Sequence, residues 1–340
     1  MKRNWTSTLS LLLALMLLAA LMAACGAQGG TAPVEPVADG EEVDLPDGEG
    51  IVADIGPLLD EAVPLADGPL LGTMLNVSAS GTLVKENASA VIDYSNTKDG
   101  YVMVKWTGER DAKIKVLLKG PSGTTYQYNL RTDGQYDAFP FSDGNGAYKV
   151  GVYKNTSGTK YSTTLSVDLT VAMTDEFAPF IRPNQYVNYN PDSAVVKKAA
   201  EICAGATTNL QKVDKVYAWV VSRIVYDYDK AATVQSGYLP NVDEILSTRK
   251  GICFDYAALM SAMLRSQNVP VKLVVGYTGN VYHAWISVYS ETEGWIEGKI
   301  YFNGKEWKLM DPTFAAGSKG SAEVQEYIGN GANYTSKYLY

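Results

Sequence analysis

The sequence predicts an α+β protein in which an all-β region precedes helices packed on an antiparallel sheet. Two observations lead to this prediction. Between residues 70 and 175, short segments rich in Tyr, Thr and Val alternate with turn signals. After residue 190, apolar residues first recur at helical spacing and then form strand-like runs. With 340 residues, 46% of them hydrophobic, the chain has room for about two domains.

Residues 1–24 have the features of an export signal. Lys2 and Arg3 precede an apolar stretch that ends at Ala24 and is too short for a comfortable membrane span. Small residues stand directly before Cys25, which resembles a bacterial lipobox. The resemblance implies cleavage before Cys25, lipidation of this residue, and an exported protein anchored at the extracytoplasmic face of the cell membrane. The alternative is an ordinary secretory signal with an incidental cysteine.

Residues 25–68 have the composition of a disordered acidic tether. They contain eleven acidic residues and no Lys, Arg or aromatic residue. Like charges keep such a segment extended, so it can lift a folded part off the membrane; calcium binding or recognition is the alternative role. The rest of the chain is close to neutral and offers no electrostatic basis for binding nucleic acid.

Residues 69–176 are predicted to form an immunoglobulin-like β-sandwich. Turn-rich segments such as Gly120-Pro121-Ser122-Gly123 separate the strands. The clearest strands span residues 101–106, 113–118, 148–153 and 163–171. The many Tyr and Thr residues fit strand propensity, or alternatively could line a sugar or peptide groove. Nothing in this region carries catalytic chemistry.

Residues 177–340 are predicted to hold helices followed by strands. The helices span about 193–203, 209–223 and 242–246, and another begins at Cys253. The strands span 271–277, 282–289, 295–302 and 305–310, with Asn303-Gly304 as a hairpin turn. If the second and fourth of these strands are neighbours, His283 and Asp311 lie side by side.

Cys253 is a candidate nucleophile because a helix N-terminus stabilises a thiolate. The chain has one histidine, His283, which lies 30 residues downstream, and Asp311 follows after another 28. One histidine and three cysteines leave too few ligands for a common zinc site, so no metal or cofactor is expected.

These residues lie in motifs that resemble the transglutaminase-like superfamily, relatives of the papain-like cysteine peptidases. The resemblance covers about residues 190–320. The matching segments are Lys250-Gly251-Ile252-Cys253-Phe254-Asp255-Tyr256-Ala257, Val269-Pro270-Val271, His283-Ala284-Trp285 and Asp311-Pro312-Thr313. The resemblance implies a papain-like fold and a catalytic triad of Cys253, His283 and Asp311 that forms a thioester from an amide.

Other residues near the site are candidates for oxyanion donors, for a wall of the cleft, or for the core. The backbone N–H of Cys253 is the natural first oxyanion donor, and Tyr228 or Tyr238 could supply a second. Trp285 is a wall of the core or of the substrate cleft. Cys203 lies on an apolar helical face and fits a core position, although a disulfide with Cys253, which would silence the site, is an alternative.

The sequence thus predicts a membrane-anchored enzyme that makes or breaks amide bonds of proteins or peptides at the cell surface or wall. Transamidation and hydrolysis, as by a cysteine peptidase or amidase, use the same triad. A non-catalytic binding module that keeps the fold is the alternative of another class.

Overall fold

A computed structural model of the protein describes residues 42–45, 74–296, 313 and 333–340. Within these residues it confirms the predicted α+β architecture, with a sheet-rich region before the helices. The predicted export signal with Cys25, most of the tether, the fourth strand of the C-terminal sheet and Asp311 lie outside the described residues. The predicted domain boundaries remain predictions.

Two antiparallel sheets form the N-terminal part. The five-stranded sheet has the order β1-β9-β8-β5-β6, and the four-stranded sheet has the order β2-β3-β4-β7. The strands are β1 Glu42–Asp44, β2 Val84–Glu86, β3 Ala90–Asp93, β4 Tyr101–Trp106, β5 Ile114–Lys119, β6 Thr125–Leu130, β7 Asp137–Pro140, β8 Gly146–Ser157 and β9 Lys160–Val171.

The sandwich core consists of the alternate side chains that each sheet turns inward. Ile92 and Val104 of one sheet share a fully buried cluster with Val116 and Val150 of the other. At about 25 cal/mol per Å² of apolar surface buried, such contacts are the main stabilising term for the sheets. The four strands expected from sequence are present.

The prediction that residues 25–68 form a disordered tether is wrong for residues 42–45. Here β1 pairs antiparallel with β9, with Val43 opposite Tyr161. Val43 and Leu45 are buried in a cluster with Leu117, Tyr153 and Tyr161. Two apolar side chains and a backbone ladder outweigh the acidic composition at this edge, because Glu42 and Asp44 alternate with the buried residues and are exposed.

Five helices and six strands form the described C-terminal part. The helices are α1 Ala194–Cys203, α2 Asn209–Arg223, α3 Tyr228–Thr233, α4 Val242–Thr248 and α5 Cys253–Arg265. The strands are β10 Val225–Tyr226, β11 Lys250–Gly251, β12 Val271–Thr278, β13 Val281–Ser290, β14 Gly294–Ile296 and β15 Tyr334–Leu339. In the part of the chain that is described, no helix is long and apolar enough to cross a bilayer.

Helix α5 is the centre of this part. It packs against α1, α2 and α4 and lies on β12 and β13 of an antiparallel sheet with the order β14-β13-β12-β15. It carries apolar side chains on every face, as expected of a fully buried helix. The prediction that helices pack on an antiparallel sheet is therefore confirmed.

The C-terminal end of α5 is held by the buried side chain of Arg265. Its guanidinium donates to the carbonyl oxygens of Arg182, Val271 and Tyr340. Arg182 in turn pairs with Asp99 beside β4, with Nη2 2.9 Å from Oδ1. Burial lowers the pKa of Arg265 to about 10, so the side chain is still a cation at neutral pH. One buried cation thus connects the helix, the linker between the two regions and the last strand.

Replacing Arg265 with Met should destabilise the protein, because up to three carbonyl groups would lose a donor inside the core. Each buried unsatisfied group costs about 1–3 kcal/mol. Urea unfolding followed by circular dichroism measures the loss. Arg131→Met is the matched control, because Arg131 pairs with Asp133 on the surface and should leave the unfolding midpoint nearly unchanged. Equal unfolding midpoints for the two variants would contradict the stabilising role of the Arg265 hydrogen bonds.

Candidate active site

The chain enters α5 through two short parallel strands. The N–H of Val225 donates to the Arg249 carbonyl (2.9 Å), and the N–H of Asp227 donates to the Gly251 carbonyl (3.0 Å). Arg249 ends α4 in the left-handed conformation (φ 60°), and its guanidinium lies 4.5 Å from the centre of the Trp219 ring. These contacts fix the direction in which the chain enters the helix.

Cys253 is the first residue of α5, as the sequence predicts. Ile252 before it is extended (φ −93°, ψ 178°), so the chain turns into the helix at the cysteine. The Cys253 side chain is 5% exposed and forms no disulfide. The N–H groups of the first turn have no partners within the helix, so together with the helix dipole they favour an anion at this end.

The Asp255 carboxylate in the same turn is completely buried. Its Oδ2 accepts hydrogen bonds from the N–H of Ile252 (2.9 Å) and from Nζ of Lys230 (2.7 Å). Its Oδ1 accepts one from the hydroxyl of Tyr238 (2.7 Å). Asp255 therefore caps the helix that begins with Cys253.

Lys230 and Tyr238 reach Asp255 from two other segments. Lys230 lies on α3, whose N-cap residue Asp227 accepts the Lys230 N–H at 3.0 Å. Burial and the hydrogen bond to Asp255 raise the pKa of Tyr238, so its hydroxyl stays a donor. A Cβ at Gly251 would lie 2.6 Å from the Asp255 Cβ, so a glycine is required for the carboxylate to lie this close.

His283 lies near the start of β13, opposite Gly276 of β12. It is buried, and its ring centre is 6.2 Å from that of Trp285 and 6.5 Å from that of Tyr334. A Cβ at Gly276 would lie 2.9 Å from the Trp285 ring. It would also lie 2.0 Å from the Thr335 carbonyl oxygen, so the glycine leaves room for the backbone of β15 and for the Trp285 ring.

The packing of α5 on β13 places the helix of Cys253 against the strand of His283. Both side chains are buried in this part of the molecule. Asp311 lies outside the described residues, so its pairing with His283 stays a prediction. The prediction that strands 282–289 and 305–310 are neighbours also stays a prediction, because residues 305–310 lie outside the described residues. The structure thus brings together the elements that carry two of the three predicted triad members.

The three side chains predicted to contact substrate or oxyanion differ in exposure. Tyr228, at the start of α3, is 48% exposed, and its ring centre is 5.0 Å from that of Tyr226. The Tyr238 hydroxyl is engaged with Asp255. Trp285 is 2% exposed and so presents almost no surface to a substrate. The oxyanion role of Tyr228 or Tyr238 stays a prediction.

Cys203 and Cys253 form no disulfide, so the alternative of a disulfide between them is wrong for this structure. Cys203 is the last residue of α1 and lies in the hydrophobic core. Burial raises the pKa of its thiol, and the charges of Lys212 and Lys215 oppose this effect. The core position predicted for Cys203 is confirmed.

Sequence reasoning missed Lys230 and Tyr334. A signal for Lys230 exists, because it stands three residues after the helix-capping Asp227 and so falls in the first turn of a short helix. Tyr334 has no local signal, because it lies 51 residues beyond His283 and reaches the site only through the pairing of β15 with β12.

With this geometry established, known proteins provide a comparison. The family model of the transglutaminase-like superfamily matches residues 196–312, a range that contains the whole of α5 and β13. Residues 196–312 form a transglutaminase-like domain. The domain thus contains both Cys253 and His283, which confirms the family resemblance drawn from their motifs.

Curated relatives match parts of this chain. A UPF0252 protein of Methanocaldococcus jannaschii is 34% identical over 88 residues, which is 22% of this chain and 25% of that protein. The human Kyphoscoliosis peptidase is 28% identical over 137 residues, which is 37% of this chain and 19% of the peptidase. The chain therefore spans about a quarter and about a fifth of the lengths of these two relatives.

Solved structures also resemble the chain. One is a protein from Cytophaga hutchinsonii described provisionally as a cysteine protease, with 17% identity and a TM-score of 0.33 over 71% of this chain and 91% of that one. Another, from Parabacteroides distasonis and described provisionally as a protease, has 10% identity and a TM-score of 0.26 over 61% of this chain and 62% of that one.

Among the residues that the structure describes, no three His, Cys, Asp or Glu side chains are grouped so that they could hold a metal ion. The chemistry on the described residues is that of a thiol, an imidazole and a capped helix terminus.

Cys203 and Cys253 should differ in reactivity. Because burial raises the pKa of Cys203, iodoacetamide should label this thiol slowly, and mainly above the pH of about 8.5 at which a free thiol ionises. Peptide mass spectrometry at a series of pH values measures the rate for each cysteine. Rapid labelling in urea is the control, and rapid labelling of native Cys203 at pH 7 would contradict the assignment.

Proposed function

We propose that this protein is a cysteine acyl-transfer enzyme that acts on amide bonds of proteins or peptides, with Cys253 as the nucleophile. The observation that carries the proposal is the position of Cys253 at the first residue of α5, a helix packed against the strand of the chain's one histidine. The match of residues 196–312 to the transglutaminase-like superfamily supports it.

The proposed reaction proceeds through a thioester. The Cys253 thiolate attacks the amide carbonyl carbon, a C–S bond forms, and the C–N bond then breaks. The His283 imidazolium gives its proton to the departing amine, and Asp311 orients the ring. The backbone N–H of Cys253 supports the negative oxygen of the tetrahedral intermediate.

The second half of the reaction decides the product. If water attacks the thioester, the acid forms and the enzyme is a peptidase or amidase. If another amine attacks, a new amide forms and the enzyme is a transamidase. Both start from the same acyl-enzyme and differ in how well the site admits an amine and excludes water. The human relative is named a peptidase, which supports a peptide as the acyl donor.

We also propose that the protein works at the cell surface or wall, held to the membrane by lipid on Cys25. The support is the apolar segment that follows Lys2 and Arg3 and the small residues before Cys25. Two or more acyl chains hold a protein stably in one leaflet. A surface protein or wall peptide would then be within reach of the active site.

Reaction with p-nitrophenyl acetate tests the nucleophile without knowledge of the natural substrate. The protein should release about one equivalent of nitrophenol in a burst as Cys253 is acylated. Cys253→Ala should abolish the burst, and His283→Ala should slow it by about a hundredfold or more. Cys203→Ala is the matched control, since this thiol is buried in the core, and should keep the burst.

The same acyl-enzyme separates the possible reactions. Faster turnover with added cadaverine, together with acetylated cadaverine as product, indicates transamidation, whereas acetate alone indicates hydrolysis. A burst of equal size in Cys253→Ala and the parent would rule out the proposed mechanism. No burst in the folded parent would favour a non-catalytic binding module.

The anchor is tested by metabolic labelling with an alkyne analogue of palmitate. The parent should carry the label and sediment with membranes, because acyl chains on Cys25 hold it in the bilayer. Cys25→Ser should lose the label and leave the membrane fraction. A Cys25→Ser variant that stays labelled and membrane-bound would contradict the assignment.

A further inference from the structure

Two opposing electrostatic effects act on the first turn of α5. The helix terminus favours a thiolate at Cys253. The buried Asp255 carboxylate, two residues along in the same turn, disfavours a second negative charge nearby. A site that has to hold a thiolate beside a buried carboxylate needs a cation to balance it.

Lys230 is a cation in direct contact with the Asp255 carboxylate. Its Nζ lies 2.7 Å from Asp255 Oδ2, and its side chain is 28% exposed, so the pair is largely shielded from water. The Tyr238 hydroxyl satisfies the other carboxylate oxygen and also bonds to Lys230 Nζ. These groups connect α3, the loop before α4 and the start of α5 in one closed network.

The loop that carries Tyr238 also contacts the sandwich. A Cβ at Gly237 (φ +82°) would lie 2.3 Å from Asn129 Nδ2 of β6. Tyr128 and Asn129 of β6 line a small cavity together with Ser236 and Gly237 of the loop. The sandwich therefore supports the position of Tyr238 from outside the transglutaminase-like domain.

We propose that Lys230 and Tyr238 are positioning residues for acyl transfer, which hold and neutralise Asp255 so that the first turn of α5 presents Cys253 as a thiolate. The proposal rests on the proposed function of Cys253. Lys230 balances the buried charge, Tyr238 fixes the carboxylate plane, and Asp255 fixes the N–H of Ile252 at the entry to the helix.

Other ionisable groups lie on elements packed against this turn. These are Asp227 at the start of α3, Glu244 on α4, Lys250 on β11 and His283 on β13. The charge of Glu244 acts on Tyr238 in the same direction as that of Asp255. Because all of them stay unchanged in variants of Lys230 and Asp255, they form a constant background for the test.

The test is the pH profile of Cys253 alkylation in the full chain, with Cys203 as internal reference. Lys230→Met should move the Cys253 midpoint upward by about one pH unit or more, because it leaves Asp255 unbalanced. Asp255→Asn should move it downward. The double variant should return close to the parent, and Lys230→Arg, which keeps the charge, should match the parent.

Opposite shifts that cancel in the double variant support the proposal, since loss of packing alone would not change sign. Unchanged midpoints in both single variants, or upward shifts in both, would overturn it. Tyr238→Phe keeps every charge and should lower the Cys253 rate without a large midpoint shift; a rate equal to the parent's overturns its role. If Lys230→Met does not fold, the Asp255→Asn variant decides the test: a downward shift of the Cys253 midpoint supports the proposal, and an unchanged or upward-shifted midpoint overturns it.

Failure of this inference is distinguishable from failure of the proposed function. A parent that labels no faster at Cys253 than at Cys203 would contradict the proposed nucleophile itself. A parent that labels rapidly at Cys253, with a midpoint indifferent to Lys230 and Asp255, would keep the nucleophile and contradict only the positioning network.

Discussion

The start of α5 depends on one buried carboxylate. Asp255 has no contact with water, so each donor that it loses would leave a buried charge less compensated, at a cost of several kcal/mol if the charge were left unpaired. Lys230, Tyr238 and the N–H of Ile252 supply those donors, and Gly251 leaves the space. The geometry around Cys253 is therefore set by Asp255 and the residues that contact it.

The buried Arg265 side chain holds the other end of α5. Aromatic rings connect α5 to the sandwich. Phe254, next to the nucleophile, has its ring centre 5.3 Å from that of Tyr186 in the linker. Tyr186 stacks on Tyr128 of β6 at 5.6 Å and meets Tyr340 edge-on at 4.6 Å. The hydrophobic core is continuous across both regions. The sandwich thus helps to hold α5 in place.

The sequence predicted the features whose signals are local. Apolar spacing located α1, α2 and α5, and the turn before Cys253 placed it at a helix start. What it could not predict depends on contacts distant in sequence. The ion pair of Lys230 with Asp255 spans 25 residues, and β15 joins its sheet only through pairing with β12. The acidic composition around β1 concealed two apolar side chains that fit a sheet edge.

The pairing of β1 with β9 shortens the segment that would separate the folded protein from the proposed membrane anchor. If Cys25 carries the proposed anchor, the 16 residues from 26 to 41 separate it from β1, whereas the predicted tether as a whole has 43 residues after Cys25, from 26 to 68. Sixteen residues reach at most about 55 Å when fully extended, whereas 43 would reach about 150 Å. With the proposed anchor, this short segment would restrict the protein to targets in a thin layer above the membrane. The length of residues 26–41 would then set the height of that layer, independently of the chemistry at the active site.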